Sequence, residues 1–167
     1  MDRFVSRFVN RVDAKGRVSV PASFRAILSR AVTSNSQTQP LIYAAPVSEL
    51  TALDCGGEPF MDEISSLMAG LAAFSEERDL LSTELLGGAQ ELRVDADGRI
   101  ILPKDLRLHA AITDQAVFVG LGHKFQIWSP DGFAVRQKEA AARVRELKAL
   151  LGRRSPDASS VPPVRDE

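Results

Sequence analysis

The chain reads as an α+β protein made of two tandem copies of one small module, with a helical insert between them and a helix after the second. Three observations carry that reading: an ungapped internal repeat, a stretch of apolar residues at helical spacing between the two copies, and a charge balance that changes sign along the chain. Its 167 residues, 44% of them hydrophobic, suit one ordinary domain or two small ones with a buried core.

The repeat fixes the modules. Arg11-Val-Asp-Ala-Lys-Gly-Arg-Val-Ser-Val-Pro-Ala-Ser-Phe-Arg25 aligns with Arg93-Val-Asp-Ala-Asp-Gly-Arg-Ile-Ile-Leu-Pro-Lys-Asp-Leu-Arg107, with eight of 15 positions identical. Asp13 and Asp95 supply side chains that hydrogen-bond forward to backbone in a tight turn, and Gly16 and Gly98 supply the positive φ such a turn needs. Apolar residues flank the turn, with Phe8, Val9 and Val12 before it and Val18 and Val20 on one face after it. Strand, D-x-x-G turn and strand follow. Pro21 and Pro103 end the second strand and open a helix, predicted over Ala22–Arg30 and Lys104–Ala111. Asp, Gly and Pro have an architectural role in this reading.

The remaining elements follow by pattern. Gln39–Pro46 and Ala116–Trp128 read as the later strands of the two modules, each containing an Ile-aromatic pair, Ile42-Tyr43 and Ile127-Trp128, expected in the core. Between them Phe60, Ile64, Leu67, Met68, Leu71 and Phe74 keep helical spacing, and Leu81 and Leu85 continue a second helix stopped by Gly87-Gly88. A last helix is predicted from about Phe133 to Leu151, with Ala140, Val144, Leu147 and Leu151 on one stripe and Gly152 as its stop. From Ser155 the composition turns to Ser, Pro, Asp and Val without periodicity, and a disordered tail is expected. The expected organisation is thus 6–53 for the first module, 54–89 for the insert, 90–133 for the second module, 134–152 for the last helix and 153–167 for the tail.

The formal net charge is -1. That sum conceals a basic segment: residues 1–30 hold seven basic and two acidic groups, residues 31–92 one basic and ten acidic, and residues 93–167 thirteen basic and ten acidic. The local field, and not the sum, decides whether a surface attracts a polyanion. Several function classes find no support. Cys55 is the only cysteine and His109 and His123 the only histidines, so neither a disulfide framework nor a metal site is expected. No apolar run reaches the length of a membrane helix, and the N-terminus lacks the apolar stretch of a signal peptide. No P-loop, G-x-G-x-x-G, G-x-S-x-G or H-E-x-x-H occurs, and an enzyme is not expected. Glu76, Glu77, Asp79 and Glu84 read as a solvated face of the insert.

Arg17 and Arg99 are the positions that turn chemistry does not require. A guanidinium there either pairs with the turn aspartate or projects toward an anion. The copies differ at the adjacent site, where the first turn has Lys15 and the second has Asp97, a carboxylate that would repel phosphate. A nucleic-acid contact is therefore expected from the first copy.

The doubled D-x-[KD]-G-R-[VI]-x-[VL]-P-x-x-[FL]-R, the helix after each proline, Phe125-Gln-Ile-Trp128 and the helical insert together resemble the MraZ family, bacterial transcriptional regulators with two SpoVT-AbrB-like modules. The likeness covers roughly residues 1–150. It implies a double-split, swapped-hairpin β-barrel with a pseudo-twofold axis within one chain, closed homo-oligomeric rings, and binding to DNA direct repeats upstream of the division and cell-wall gene cluster, their own gene included, mostly as repressors. It implies a cytoplasmic, nucleoid-associated protein without cofactor or small-molecule substrate. The family's DNA-contacting positions match Lys15 and Arg17, with Arg3, Arg7 and Arg11 in the same basic segment; Asp13, Gly16, Pro21, Asp95, Gly98, Arg99 and Pro103 are the matching structural positions. Two departures stand: the residue before Ile127-Trp128, commonly acidic in the family, is Gln126, and the resemblance assigns no counterpart to the Ser/Pro tail after 155. The competing reading is a ring-forming scaffold whose arginines meet acidic protein partners, with a small hydrolase a distant third.

Overall fold

The structure is a computed structural model, and it describes residues 2–31 and 39–153. The disordered tail expected from 153 onward lies outside the described residues except for Arg153. By packing, the chain falls into two units, Met1–Phe133 and Ala134–Glu167.

In the first unit the elements run β1 (Arg7–Arg11), β2 (Arg17–Ser19), α1 (Ala22–Arg30), β3 (Leu41–Pro46), β4 (Ala52–Gly56), α2 (Glu58–Ala69), α3 (Glu76–Leu85), β5 (Gln90–Arg93), β6 (Arg99–Ile101), α4 (Lys104–His109), β7 (Gln115–Gly120) and β8 (Phe125–Trp128). Helix α5 (Pro130–Arg153) begins at the end of this unit and supplies the second. The fold is α+β, and all the strand pairings are antiparallel.

The strand order is β1-β7-β8-β4-β3-β5 in one sheet and β2-β6 in a two-stranded ribbon. Exchanging the two copies (β1 for β5, β3 for β7, β4 for β8) turns the six-stranded order into its own reverse. Each motif's first strand pairs with the other copy's third: β1 with β7, Arg11 opposite Gln115, and β5 with β3, Arg93 opposite Leu41. The second strands pair with each other, Val18 opposite Ile100. Neither copy completes its own sheet, so the two copies fold as one body.

Alternation along the strands sorts the core. Val18 and Ile100 point inward from the ribbon, Phe24 and Leu28 from α1, Leu106 from α4, and Leu53, Cys55, Phe118, Phe125 and Ile127 from the large sheet, all buried. Phe24 packs against Phe4 and Phe125 with ring centroids 5.1 Å away in both cases. Burial pushes the Cys55 thiol's pKa well up. β8 is buried on both faces because its other side, Gln126 and Trp128, is covered as well; Trp128 packs with Ala52 and Val117, joined by Leu50 and Phe133. Gln126 is satisfied there. Its Nε2 donates to Asp54 Oδ1 at 2.9 Å and its Oε1 accepts from Trp128 Nε1 at 3.0 Å, while Lys124 Nζ donates to Asp54 Oδ2 at 3.0 Å. Asp54 faces Gln126 across the β4-β8 pair. One carboxylate is thus shared by an amide and an ammonium, where an acidic residue 126 would set two carboxylates against each other.

Several local expectations change. β4 has no counterpart among the expected strands; its five residues, ending at Gly56, are too short a signal for periodicity. The helical stripe predicted to Phe74 stops earlier: α2 ends at Ala69 before Gly70, and Phe74 has φ 63° and is 98% exposed. Ser75 then caps α3, its hydroxyl accepting from Arg78 N at 3.2 Å. The second short helix ends at His109 and not Ala111, whose φ is 53°. Pro21 and Pro103 stand at the N-cap, one position before the first turn. Ile42-Tyr43 and Ile127-Trp128 are not equivalent pairs, since β3 corresponds to β7. Tyr43 is half-buried and donates its hydroxyl to Glu58 at 2.6 Å, a bond that pushes its pKa up to about 12.

Candidate nucleic-acid interface

The two D-x-x-G turns close in the same way. In the first, Asp13 Oδ1 accepts from Lys15 N at 3.0 Å and Arg17 N at 2.9 Å, and Gly16 N donates to Asp13 O at 3.0 Å. In the second, Asp95 Oδ1 accepts from Asp97 N and Arg99 N, both at 2.9 Å, and Gly98 N donates to Asp95 O at 3.0 Å. Gly16 and Gly98 have φ of 83° and 76°, the left-handed conformation that selects glycine. Both aspartates are held below the usual carboxylate range, first by the backbone N–H of Arg17 or Arg99.

Each turn is also bolted to the other copy. Leu102 N donates to Gly16 O at 2.8 Å and Val20 N to Gly98 O at 2.9 Å. The last residue of each motif completes the lock: Arg25 Nε donates to Val20 O at 3.1 Å and Arg107 Nε to Leu102 O at 3.0 Å. Arg25 thereby lies under Gly98 and Arg107 under Gly16, so close that a Cβ on Gly98 would meet Arg25 Nη1 at 2.6 Å. Turn chemistry alone assigns these two arginines no role; their identity at the end of both copies is the signal in the repeat that marks them. Asn10, which gave no such signal, ties β1 to the ribbon by donating to Ser19 O at 2.7 Å.

With Val18 and Ile100 turned inward, the ribbon presents Arg17, Ser19, Arg99 and Ile101 outward; Ile101 is 60% exposed. Both arginines pair with carboxylates, but differently. Arg17 Nε donates to Asp13 Oδ2 at 2.6 Å, and among the described residues its Nη atoms make no hydrogen bond. Arg99 Nη2 donates to Asp97 Oδ2 at 3.2 Å and its Nε stands 3.8 Å from Asp95 Oδ2, unbonded and buried. The second guanidinium is divided between two carboxylates. Lys15 lies beside the first, on an exposed turn.

The structure does not gather all five basic residues of the first segment. Arg11 ends β1 next to the turn that carries Lys15 and Arg17. Arg7, four residues and about 13 Å back along the strand, lies over the Phe133 ring, 5.8 Å from its centroid. Arg3 is at the far end, beside Phe4, which bridges to Gly122.

Among the described residues no group of His, Cys, Asp and Glu could hold a metal ion, and no helix is long and apolar enough to cross a membrane. Two interleaved copies of one motif, joined through a ribbon that carries paired arginines on its outer face, define a class of α+β protein whose distinctive surface is that ribbon. The model of a family described as "MraZ protein, putative antitoxin-like" matches residues 85–151. Proteins called transcriptional regulator MraZ are similar over nearly the whole chain: 47% identity with that of Beijerinckia indica subsp. indica, covering 95% of this chain and 94% of the relative, and 47% with that of Methylocella silvestris, covering 99% and 96%. That of Azorhizobium caulinodans is 44% identical, covering 96% and 99%. The chain belongs to the MraZ family.

Proposed function

We propose that the chain is a sequence-specific DNA-binding transcriptional regulator that represses the division and cell-wall gene cluster, its own gene included, from direct repeats upstream. The names of its relatives support regulation of transcription. The observation that carries DNA contact is the unequal surroundings of the two ribbon arginines: Arg17 spends only Nε on Asp13 and stands next to Lys15, whereas Arg99 bonds Asp97 through Nη2 with Asp95 a second carboxylate 3.8 Å from its Nε.

In this reading the ribbon enters a major groove, which admits a two-stranded β-ribbon. Arg17 offers its Nη edge to a base or a critical phosphate, Asp13 holds the guanidinium in place, and Lys15 anchors on a phosphate, with Arg11 flanking. Arg7 and Arg3 add positive field farther along the first segment. We read the interleaved strands as the family's double-split, swapped-hairpin barrel. The first module then extends from 53 to Gly56 so that it contains β4, the insert is limited to α2 and α3, and the second module spans 90–129. Helix α5, which starts at Pro130 and is not stopped by Gly152, is the last helix. A few contacts per subunit bind weakly, and arranging subunits in a ring opposite repeated sites multiplies affinity through effective concentration. Such a regulator works in the cytoplasm at the nucleoid, without cofactor, substrate or catalysis.

Fluorescence anisotropy with the gene's own upstream region and a scrambled duplex, across a salt series, tests this. Preference for the upstream region, with affinity falling steeply as salt rises, is expected. Equal or absent binding to both duplexes would favour the scaffold.

A further inference from the structure

Among the exposed apolar surfaces of the described residues, two carry opposite charge. One is on α5, where Val144, Leu147 and Leu151 are 41%, 56% and 67% exposed. Their spacing forms a stripe about 10 Å long, flanked by Arg143 on one side and Lys148 on the other. The other is a groove of about 790 Å³ between the β3-β4 connection and the α2-α3 hairpin, with Ile64, Leu67 and Leu85 in its floor and Glu49, Glu63 and Glu84 around it. Leu67 is 64% exposed. The groove's own basic side chains already face carboxylates: Lys124 Nζ lies 3.0 Å from Asp54 Oδ2, and His123 Nε2 lies 3.7 Å from Glu63 Oε2. Residues 58–84 hold seven acidic groups and one basic, whereas residues 134–153 hold six basic and two acidic. Exposed apolar surface rimmed by charge marks an interaction site.

We propose that α5 of one copy lies in this groove of a second copy, with Val144, Leu147 and Leu151 on the apolar floor and Arg143 and Lys148 against Glu63 and Glu84. This rests on the self-assembly proposed above and names its contact. An amphipathic helix in an apolar groove is a recurring recognition mode. The charge complementarity argues for a second copy as the occupant, because both halves of the match are carried by the same chain. Two different surfaces make the contact head-to-tail, the kind that propagates from copy to copy until it closes.

The test uses the full chain. Nitrogen-14 and nitrogen-15 chains are mixed through unfolding and refolding, then treated with a carbodiimide, which couples Lys148 to Glu63 or Glu84. Mixed-isotope cross-linked peptides are expected; same-isotope pairs alone, or none, overturn the contact. In parallel, E63K/E84K and R143E/K148E are each expected to weaken self-association more than about tenfold. Mixing the two variants restores the wild-type mass, since every facing pair is again opposite in charge, and restoration excludes misfolding. An assembled chain insensitive to both reversals overturns the contact alone. A wild-type chain that stays monomeric overturns self-assembly itself and this contact with it.

Discussion

The turns at Asp13–Arg17 and Asp95–Arg99 share backbone path, glycine φ and carboxylate hydrogen bonds, yet they present different chemistry outward. One residue makes the difference. With Lys15 between the aspartate and the glycine, the arginine has a single carboxylate partner and a cationic neighbour; with Asp97 there, a second carboxylate draws the guanidinium away. The duplicated frame conserves geometry because each turn supports the other copy through Gly16 O and Gly98 O. A repeat can thus keep both copies for folding while the two turns differ in the charge they present outward.

Three experiments would break or sharpen this contrast. The largest effect is expected in DNA affinity: Arg17→Ala lowers it more than about a hundredfold, because in the proposed ring each lost contact would recur in every subunit. Arg99→Ala, which removes a guanidinium already bonded to Asp97, changes it by no more than about twofold. Equal losses in an anisotropy titration would end the asymmetry.

Stability comes next. A Cβ on Gly16 would meet Leu102 O, a backbone atom just past β6, at 2.7 Å, whereas the nearest atoms to one on Gly98 are those of the Arg25 guanidinium, a side-chain group. Both substitutions also bear the cost of positive φ. Gly16→Ala is expected to cost about 2 kcal/mol and Gly98→Ala about 1 kcal/mol, read from urea unfolding midpoints at constant slope. A reversed order would show that Arg25 is the more rigid neighbour.

The smallest effect lies in acid. Asp13 and Asp95 both have folded pKa values below the ordinary 3.8. Their contribution is therefore present above 3.8 and is lost as pH falls below it through each folded value. After the backbone N–H, the Arg17 side chain is the next largest cause for Asp13, while Asp95 has no such side-chain bond to Arg99. Carboxyl carbon shifts followed by NMR should show the Asp13 midpoint rising toward 3.8 in Arg17→Ala, with a smaller rise for Asp95 in Arg99→Ala.

Much of this was legible before the structure. The D-x-x-G turns, α1 and the inward placement of Val18 and Val20 follow from local rules, which act within a few residues. The difference in charge between the two turns, Lys15 against Asp97, is supplied by the repeat itself. Other features were beyond such rules. β4 is held by its neighbours β3 and β8 and not by its own pattern, and the end of α2 at Ala69 came from Gly70 against a stripe that continued past it.

By itself the sequence determined that one motif is built twice, that its turns need aspartate and glycine, and that the charge at the turn differs between copies, because these depend on residue type and short-range geometry. Only the tertiary structure decided which strands pair, since hydrogen-bonded partners such as β1 and β7 are far apart in the chain and alternation says only which face is buried. It also decided that Arg25 and Arg107 support the opposite turns, that Arg7 lies over Phe133 away from Arg17, and that both ribbon arginines are paired, for a guanidinium's partner is set by what the fold brings within reach of it.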